Sequence, residues 1–236
     1  MKNNIINFKG IKFYNCSFDF IFKKINKGGY LVAPAASALT NINSNKNYHQ
    51  SLIKSDIAIL DSGFFCILLR IFKGESVSKL SGYFFLKNFL NMKIKKYKIL
   101  TIDPSHEDSK ANLKYLKFKK FKKIINYIAP IYNKKKIIDK KLIKIIKKNK
   151  PKYIIINLGG GIQESLALFI KKKIKFKTSV FCTGAAIAFL TKRQAPINDI
   201  VDQLYLGWLA RTLHDPKKFF LRTIKSLSLI KLFIFH

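Results

Sequence analysis

The sequence predicts an α/β domain, Rossmann-like in its mostly parallel sheet covered by helices on both faces, with a C-terminal helical appendage. Short apolar runs that are continuous rather than alternating recur along the chain, and helix-length amphipathic segments separate them. Three of the runs end at a carboxylate, a glycine turn or a cluster of small residues. Strands buried on both faces read as continuous apolar runs, which is the situation of parallel strands joined by crossover helices.

The chain opens with an aromatic, alternating stretch over residues 13–22, of strand or strand-helix character, broken at Gly28-Gly29. Residues 30–33 read as the first buried strand, ended by Pro34, and residues 35–40 as a small-residue loop entering a helix. Residues 57–60 form a second strand that stops at Asp61-Ser62-Gly63, with an apolar helix over 64–72. A third strand (97–102) precedes a lysine-rich helix (109–123), and a fourth (124–128) leads through Ala129-Pro130 to an amphipathic helix (139–148). The fifth strand (153–158) ends in Gly159-Gly160-Gly161 and returns as a helix over 163–172; the sixth (179–183) meets Gly184. No internal repeat or flexible polar linker divides the chain, so residues 1–195 read as the core and 196–236 as a basic, amphipathic appendage of the same unit. The appendage has two readings: a terminal helix packed on the sheet, or a segment lying on an anionic membrane with Phe and Leu inserted.

Composition bounds the function. At 236 residues and 48% hydrophobic, with 21 Phe, the chain is too apolar for disorder, and its apolar stretches fall short of the roughly 20 residues that span a bilayer. Three widely spaced cysteines, Cys16, Cys66 and Cys182, form no CxxC pair, and no cleavable hydrophobic segment follows a basic start; a reducing, cytoplasmic compartment is expected. The net charge of +34 points on its face to nucleic acid or an anionic membrane. Only Arg70, Arg193, Arg211 and Arg222 are arginines among 46 cationic residues, however, in a chain crowded with Lys, Ile, Asn and Phe. An A+T-rich coding sequence produces that mixture, so charge alone assigns no partner. Nucleic acid is disfavoured because no recognition motif and little Arg–aromatic interleaving is present.

Ligands of open α/β sheets bind at the carboxyl ends of the strands. Three exits are candidates. Asp61 ends a buried strand and reads either as the cap of the next helix or as a general base. Gly159, Gly160 and Gly161 let backbone approach a ligand at a helix N-terminus, where an anion is favoured, and Gln163 and Glu164 in the first turn can read sugar hydroxyls or a uracil edge. The spacing is neither a Walker A loop nor GxGxxG. Gly184, opening a small-residue turn, permits close approach of a ligand or of a helix. The four histidines are scattered without ligand partners, no DxD pattern is present, and no GxSxG elbow supports a hydrolase; no metal or cofactor is expected.

At these residues the chain resembles the WecG/TagA/CpsF glycosyltransferases, glycosyltransferase family 26. The resemblance runs from about residue 13 to 227 through residues 55–63, Leu80-Ser81-Gly82, Lys150-Pro151, and residues 158–164, 182–190, 206–211 and 215–219. It implies metal-independent, inverting transfer of an N-acetylhexosamine-type sugar, often N-acetylmannosamine or its uronic acid, from a UDP-sugar to a polyprenyl-linked acceptor in cell-surface polysaccharide assembly. By position it makes Asp61 the catalytic base and Gln163 an active-site glutamine. Lys79 stands where many members carry arginine, keeping a phosphate contact as a point charge. Arg211 and Arg222 match arginines of an appendage that closes over the site and contacts diphosphate or membrane.

Four departures mark a divergent subgroup: Ala33-Pro34-Ala35-Ala36 in place of a Thr-x-Asn-like element, Gly-Gly-Gly in place of Gly-Ala-Pro, Ala188 in place of Asp, and Leu-Gly-Trp in place of Leu-Glu-Trp. The expected protein is therefore a cytoplasmic glycosyltransferase, peripheral on the inner face of the membrane, its oligomeric state open. A non-catalytic nucleotide- or nucleic-acid-binding module and a degenerate transferase are the alternatives.

Overall fold

A computed structural model describes residues 4–133, 136–194 and 216–234. Strands β1 (Asn4–Phe8) and β2 (Ile11–Asn15) form an antiparallel hairpin. Its two turn residues, Lys9 and Gly10, both have positive φ, 50° and 78°, which is the type I′ geometry matched to strand twist. Helix α1 (Phe18–Ile25) follows, and the Ser17 hydroxyl accepts from the Phe20 amide to cap it. The stretch over 13–22 is thus the end of a strand and the start of a helix.

Strand β3 (Gly29–Val32) leads to the short α2 (Ala36–Leu39) and to α3 (Lys46–Ile53); β4 (Ile57–Ile59) leads to α4 (Gly63–Lys73) and α5 (Gly82–Asn91). Next come β5 (Ile99–Asp103), α6 (His106–Phe118), β6 (Ile124–Ile128), α7 (Lys140–Asn149), β7 (Tyr153–Ile156), α8 (Ile162–Lys173), β8 (Ser179–Cys182) and α9 (Ala186–Leu190). Helix α10 (Pro216–Leu227), a 3₁₀ turn (Ser228–Ile230) and α11 (Lys231–Ile234) complete the described chain.

The eight strands form one sheet in the order β1-β2-β4-β3-β8-β7-β5-β6, parallel except for the β1–β2 pair. The six-strand expectation therefore captured the parallel interior but not the N-terminal hairpin. Strands β3, β4, β5, β7 and β8 are buried almost throughout, as continuous apolar runs demand, whereas edge strand β1 alternates.

The central parallel strands divide their side chains between two cores. Tyr30, Val32, Ile154 and Ile156 face Leu52, Phe65, Ile146 and Leu166 on one side. Leu31, Tyr153, Ile155 and Phe181 face Ile21, Phe85, Phe89 and Leu116 on the other. The second core has an aromatic centre: the Phe89 ring lies 4.8 Å from Phe181 and 4.9 Å from Tyr153, both edge-on. Such pairs add about 0.5–1.5 kcal/mol beyond the area they bury.

Two local expectations are corrected. The lysine-rich helix ends at Phe118 rather than at 123, because Lys120 takes a left-handed φ of 64° and turns the chain toward β6. Helix α5 was not anticipated; Ser81 caps it by accepting from the Phe84 amide, and Phe85, Leu86, Phe89 and Leu90 form its buried face. The C-terminal segment divides its apolar side chains. Leu229 is fully buried, and the Phe233 ring stands 4.7 Å from Phe8 and 5.6 Å from Phe72. On α10, Phe220, Leu221, Ile224 and Leu227 are exposed. Among the described residues no helix is long and apolar enough to cross a membrane.

Candidate active site

A cavity of about 570 Å³ lies at the carboxyl ends of β3, β4, β5, β7 and β8, walled on one side by Lys225, Ser226 and Leu227 of α10. Its size falls within the roughly 300–1,000 Å³ of small-molecule sites. It contains Asp61, Lys79, Gly159, Gly160, Gln163, Glu164 and Gly184 together. Gly161 lines a smaller neighbouring cavity of about 240 Å³, which shares Ala38, Asn41, Gly160 and Lys225 with the larger one. Arg211 and the side chain of Arg222 lie outside the described residues.

Asp61 stands two residues past β4. It does not cap the following helix, because Ser62 does, accepting from the Phe65 amide at 3.3 Å. The Asp61 carboxylate instead turns toward the N-terminus of α5, where its Oδ1 accepts from the Gly82 amide at 2.7 Å. A charge-assisted bond from a helix N-terminus orients a carboxylate. Gly82 makes this approach possible: a Cβ there would stand 3.1 Å from the Ala33 Cβ and 3.3 Å from the Thr183 Cβ. The small residues at the β3 and β8 exits thus let α5 seat its first turn against the sheet and deliver an amide to Asp61.

The glycine turn after β7 is shaped by the residues that follow it. Gly161 has φ +91°, a conformation unfavourable to any other residue, and its amide donates to Glu164 Oε2 at 2.6 Å. Gln163 Nε2 donates to Glu164 Oε1 at 3.0 Å, and the Gly184 amide donates to Gln163 Oε1 at 2.9 Å. Gln163 therefore bridges two of the predicted exits, those of β7 and β8. Glu164, fully buried, pins the turn and orients the glutamine rather than facing open solvent.

Burial pushes the Glu164 carboxyl up to about 7, against the opposing pull of the hydrogen bonds it accepts from backbone and from Gln163. The folded state thus holds its proton more tightly than the unfolded chain, whose value is 4.5. The stability from this group is complete below 4.5 and is lost as pH rises through about 7, by about 3 kcal/mol. Urea denaturation between pH 5 and 8 is expected to show the parent losing stability relative to Glu164→Gln as pH rises.

At the β5 exit the structure assembles a network that sequence reasoning missed. Asp103, fully buried, accepts from Thr101 Oγ1 at 2.8 Å and from Asn112 and Asn157 Nδ2, each at 2.7 Å. Asn126 Nδ2 in turn donates to Thr101 Oγ1 at 2.9 Å. Asn112 and Asn157 both line the main cavity. A polar residue at a strand's carboxyl end was the available signal for Asp103, as it was for Asp61.

The cations divide by role. Arg70 donates to the Val77 carbonyl, and Arg193 pairs with Asp108 on the cavity wall at 3.3 Å. Both partners of that pair are partly exposed, so it contributes little energy. Lys79 and Lys225 bring positive charge to the cavity, with Lys225 bordering both cavities. Among the described residues no three His, Cys, Asp or Glu side chains gather where they could hold a metal ion.

No curated protein matches the chain. The family model described as "Glycosyl transferase WecG/TagA/CpsF family" matches residues 6–236, nearly the whole chain and every strand exit of the cavity. The chain belongs to the WecG/TagA/CpsF family of glycosyl transferases.

Proposed function

We propose that the chain transfers an N-acetylhexosamine-type sugar, with N-acetylmannosamine or its uronic acid foremost, from a UDP-sugar to a polyprenyl-linked acceptor in cell-surface polysaccharide assembly. The observation that carries this reading is the placement of Asp61, fixed by the Gly82 amide, in one cavity with the Gly159-Gly160 backbone at the N-terminal end of α8. A carboxylate and an anion-favouring helix end in one cavity are the two groups that a direct displacement needs.

In the reaction, Asp61 takes the proton of the acceptor hydroxyl as its oxygen forms a bond to C1 of the sugar. The C1–O bond to UDP breaks on the opposite face, so the anomeric centre inverts. The departing diphosphate gains stabilisation from the α8 N-terminus and from the ammonium groups of Lys79 and Lys225. Gln163, its carbonyl taken by Gly184 and one N–H by Glu164, offers its second N–H to the ligand. The reaction as proposed uses no metal.

The exposed Phe220, Leu221 and Ile224 on α10, whose C-terminal end walls the cavity, support docking at the inner, anionic leaflet beside a lipid-linked acceptor. Lysines near such a surface contribute about 1 kcal/mol each. The test is a transfer assay in chelator, with UDP-N-acetylhexosamines as donors and a polyprenyl-linked sugar acceptor in anionic vesicles. Product formed with inverted configuration is the expected result. Saturable UDP binding without product from any pair would favour the non-catalytic reading instead.

A further inference from the structure

Among the described residues, two buried polar atoms of the main cavity have no hydrogen-bond partner: Asn157 Oδ1 and Thr183 Oγ1. Both residues are more than nine-tenths buried, 9% and 6% exposed. Leaving such a group unsatisfied costs about 1–3 kcal/mol, so two in one cavity require an explanation.

Their placement supplies one. Asp103, Asn157 and Thr183 each stand one residue beyond a member of the paired row Ile102, Ile156 and Cys182, on the adjacent strands β5, β7 and β8. They form a row along the carboxyl edge of the sheet. Asp103 fixes the amide of Asn157: the carboxylate accepts and cannot donate, so Nδ2 must face it and Oδ1 must face away. Asn157 is thereby committed to present an acceptor. Thr183 continues the row toward the α5 N-terminus, its Cβ close enough to Gly82 to crowd any side chain there, and the Gly82 amide holds Asp61.

We propose that Asn157 and Thr183 form a hydrogen-bonding ledge that reads the sugar of the donor, Asn157 Oδ1 accepting from a sugar hydroxyl or acetamido N–H and the Thr183 hydroxyl bonding a second polar group beside it. Asp103 is the positioning residue that sets the amide. The inference rests on the cavity being the donor site, and it adds which residues discriminate the sugar from the nucleotide.

Calorimetric titration with UDP, UDP-glucose and UDP-N-acetylglucosamine tests it on the full chain, with thermal unfolding recorded in parallel. In Thr183→Val the hydroxyl is replaced by a methyl of the same shape. Its melting temperature without ligand is expected to hold or rise, while affinity for the UDP-sugars falls about 5- to 10-fold and affinity for UDP is unchanged. Thr183→Ser should restore sugar binding. For Asn157→Ser, which also removes a donor from Asp103, the readout is the ratio of UDP-sugar to UDP affinity, which damage to the fold alone does not move. A larger loss with UDP-N-acetylglucosamine than with UDP-glucose assigns the acetamido N–H to Asn157; equal losses assign a hydroxyl. Unchanged ratios in both variants, or a lower melting temperature for Thr183→Val, would overturn the ledge and leave the donor site standing. A parent protein that binds none of the three ligands would instead overturn the donor reading itself, and the ledge with it.

Discussion

Asp61→Asn is expected to lower turnover about 100-fold or more, the usual worth of a positioned general base, while changing stability by less than about 1 kcal/mol. The separation follows from the geometry. Asp61 uses Oδ1 to accept from the Gly82 amide, and an asparagine carbonyl keeps that bond. What it loses is the capacity to take a proton. Steady-state rates and urea denaturation on the same preparation check both halves. Turnover within a few fold of the parent would remove Asp61 from the chemistry, whereas a collapse of stability would show that the negative charge itself, beyond the bond to the Gly82 amide, holds the fold together.

The largest stability effect is expected at a residue that touches no substrate. Asp103→Ala removes the acceptor of three side-chain donors at once, Thr101 Oγ1, Asn112 Nδ2 and Asn157 Nδ2, inside the sheet's carboxyl edge. Stranding buried donors and opening a void should cost about 3–5 kcal/mol, measured as a shift of the urea midpoint. Asp103→Asn should fall between, since its carbonyl keeps some of the bonds while its amide faces other N–H groups. A loss below about 1 kcal/mol for the alanine variant would mean that the amides find other partners and that Asp103 does not fix Asn157.

The parallel interior was legible because its strands are buried on both faces. Residues 30–33, 57–60 and 153–158 read as continuous apolar runs, and the structure places β3, β4 and β7 there. The N-terminal hairpin was less so, since β1 alternates at an edge and its turn is marked only by Lys9-Gly10. Helix α5 escaped because aromatic residues stand on both sides of it, Tyr83 and Phe84 beside the buried Phe85 and Phe89, so that Lys87, Asn88 and Asn91 make only a short polar face and the Ser81 cap is the clearest local mark.

In the site, polar or glycine-rich strand exits led directly to Asp61, Gly159, Gly160 and Gly184, all of which share the cavity. Pairings across strands were not readable. Nothing local says that Gln163 bridges to Gly184, that Gly82 holds Asp61, or that Asp103 commits the amide of Asn157. Lys225 became visible only when the C-terminal segment folded back, anchored by Leu229 and Phe233. Nor did the sequence mark Lys9, Lys120, Lys150 and Lys192 as left-handed backbone positions, which glycine or asparagine adopt at lower cost.

The most direct test of the central claim is a calorimetric titration of UDP and a panel of UDP-N-acetylhexosamines into the parent and Asp61→Asn proteins, in chelator and with anionic vesicles present. Saturable binding with a preference among the sugars, nearly equal in the two proteins, is expected, with transfer by the parent alone once a polyprenyl-linked acceptor is added. Absence of binding to a folded parent would contradict the claim.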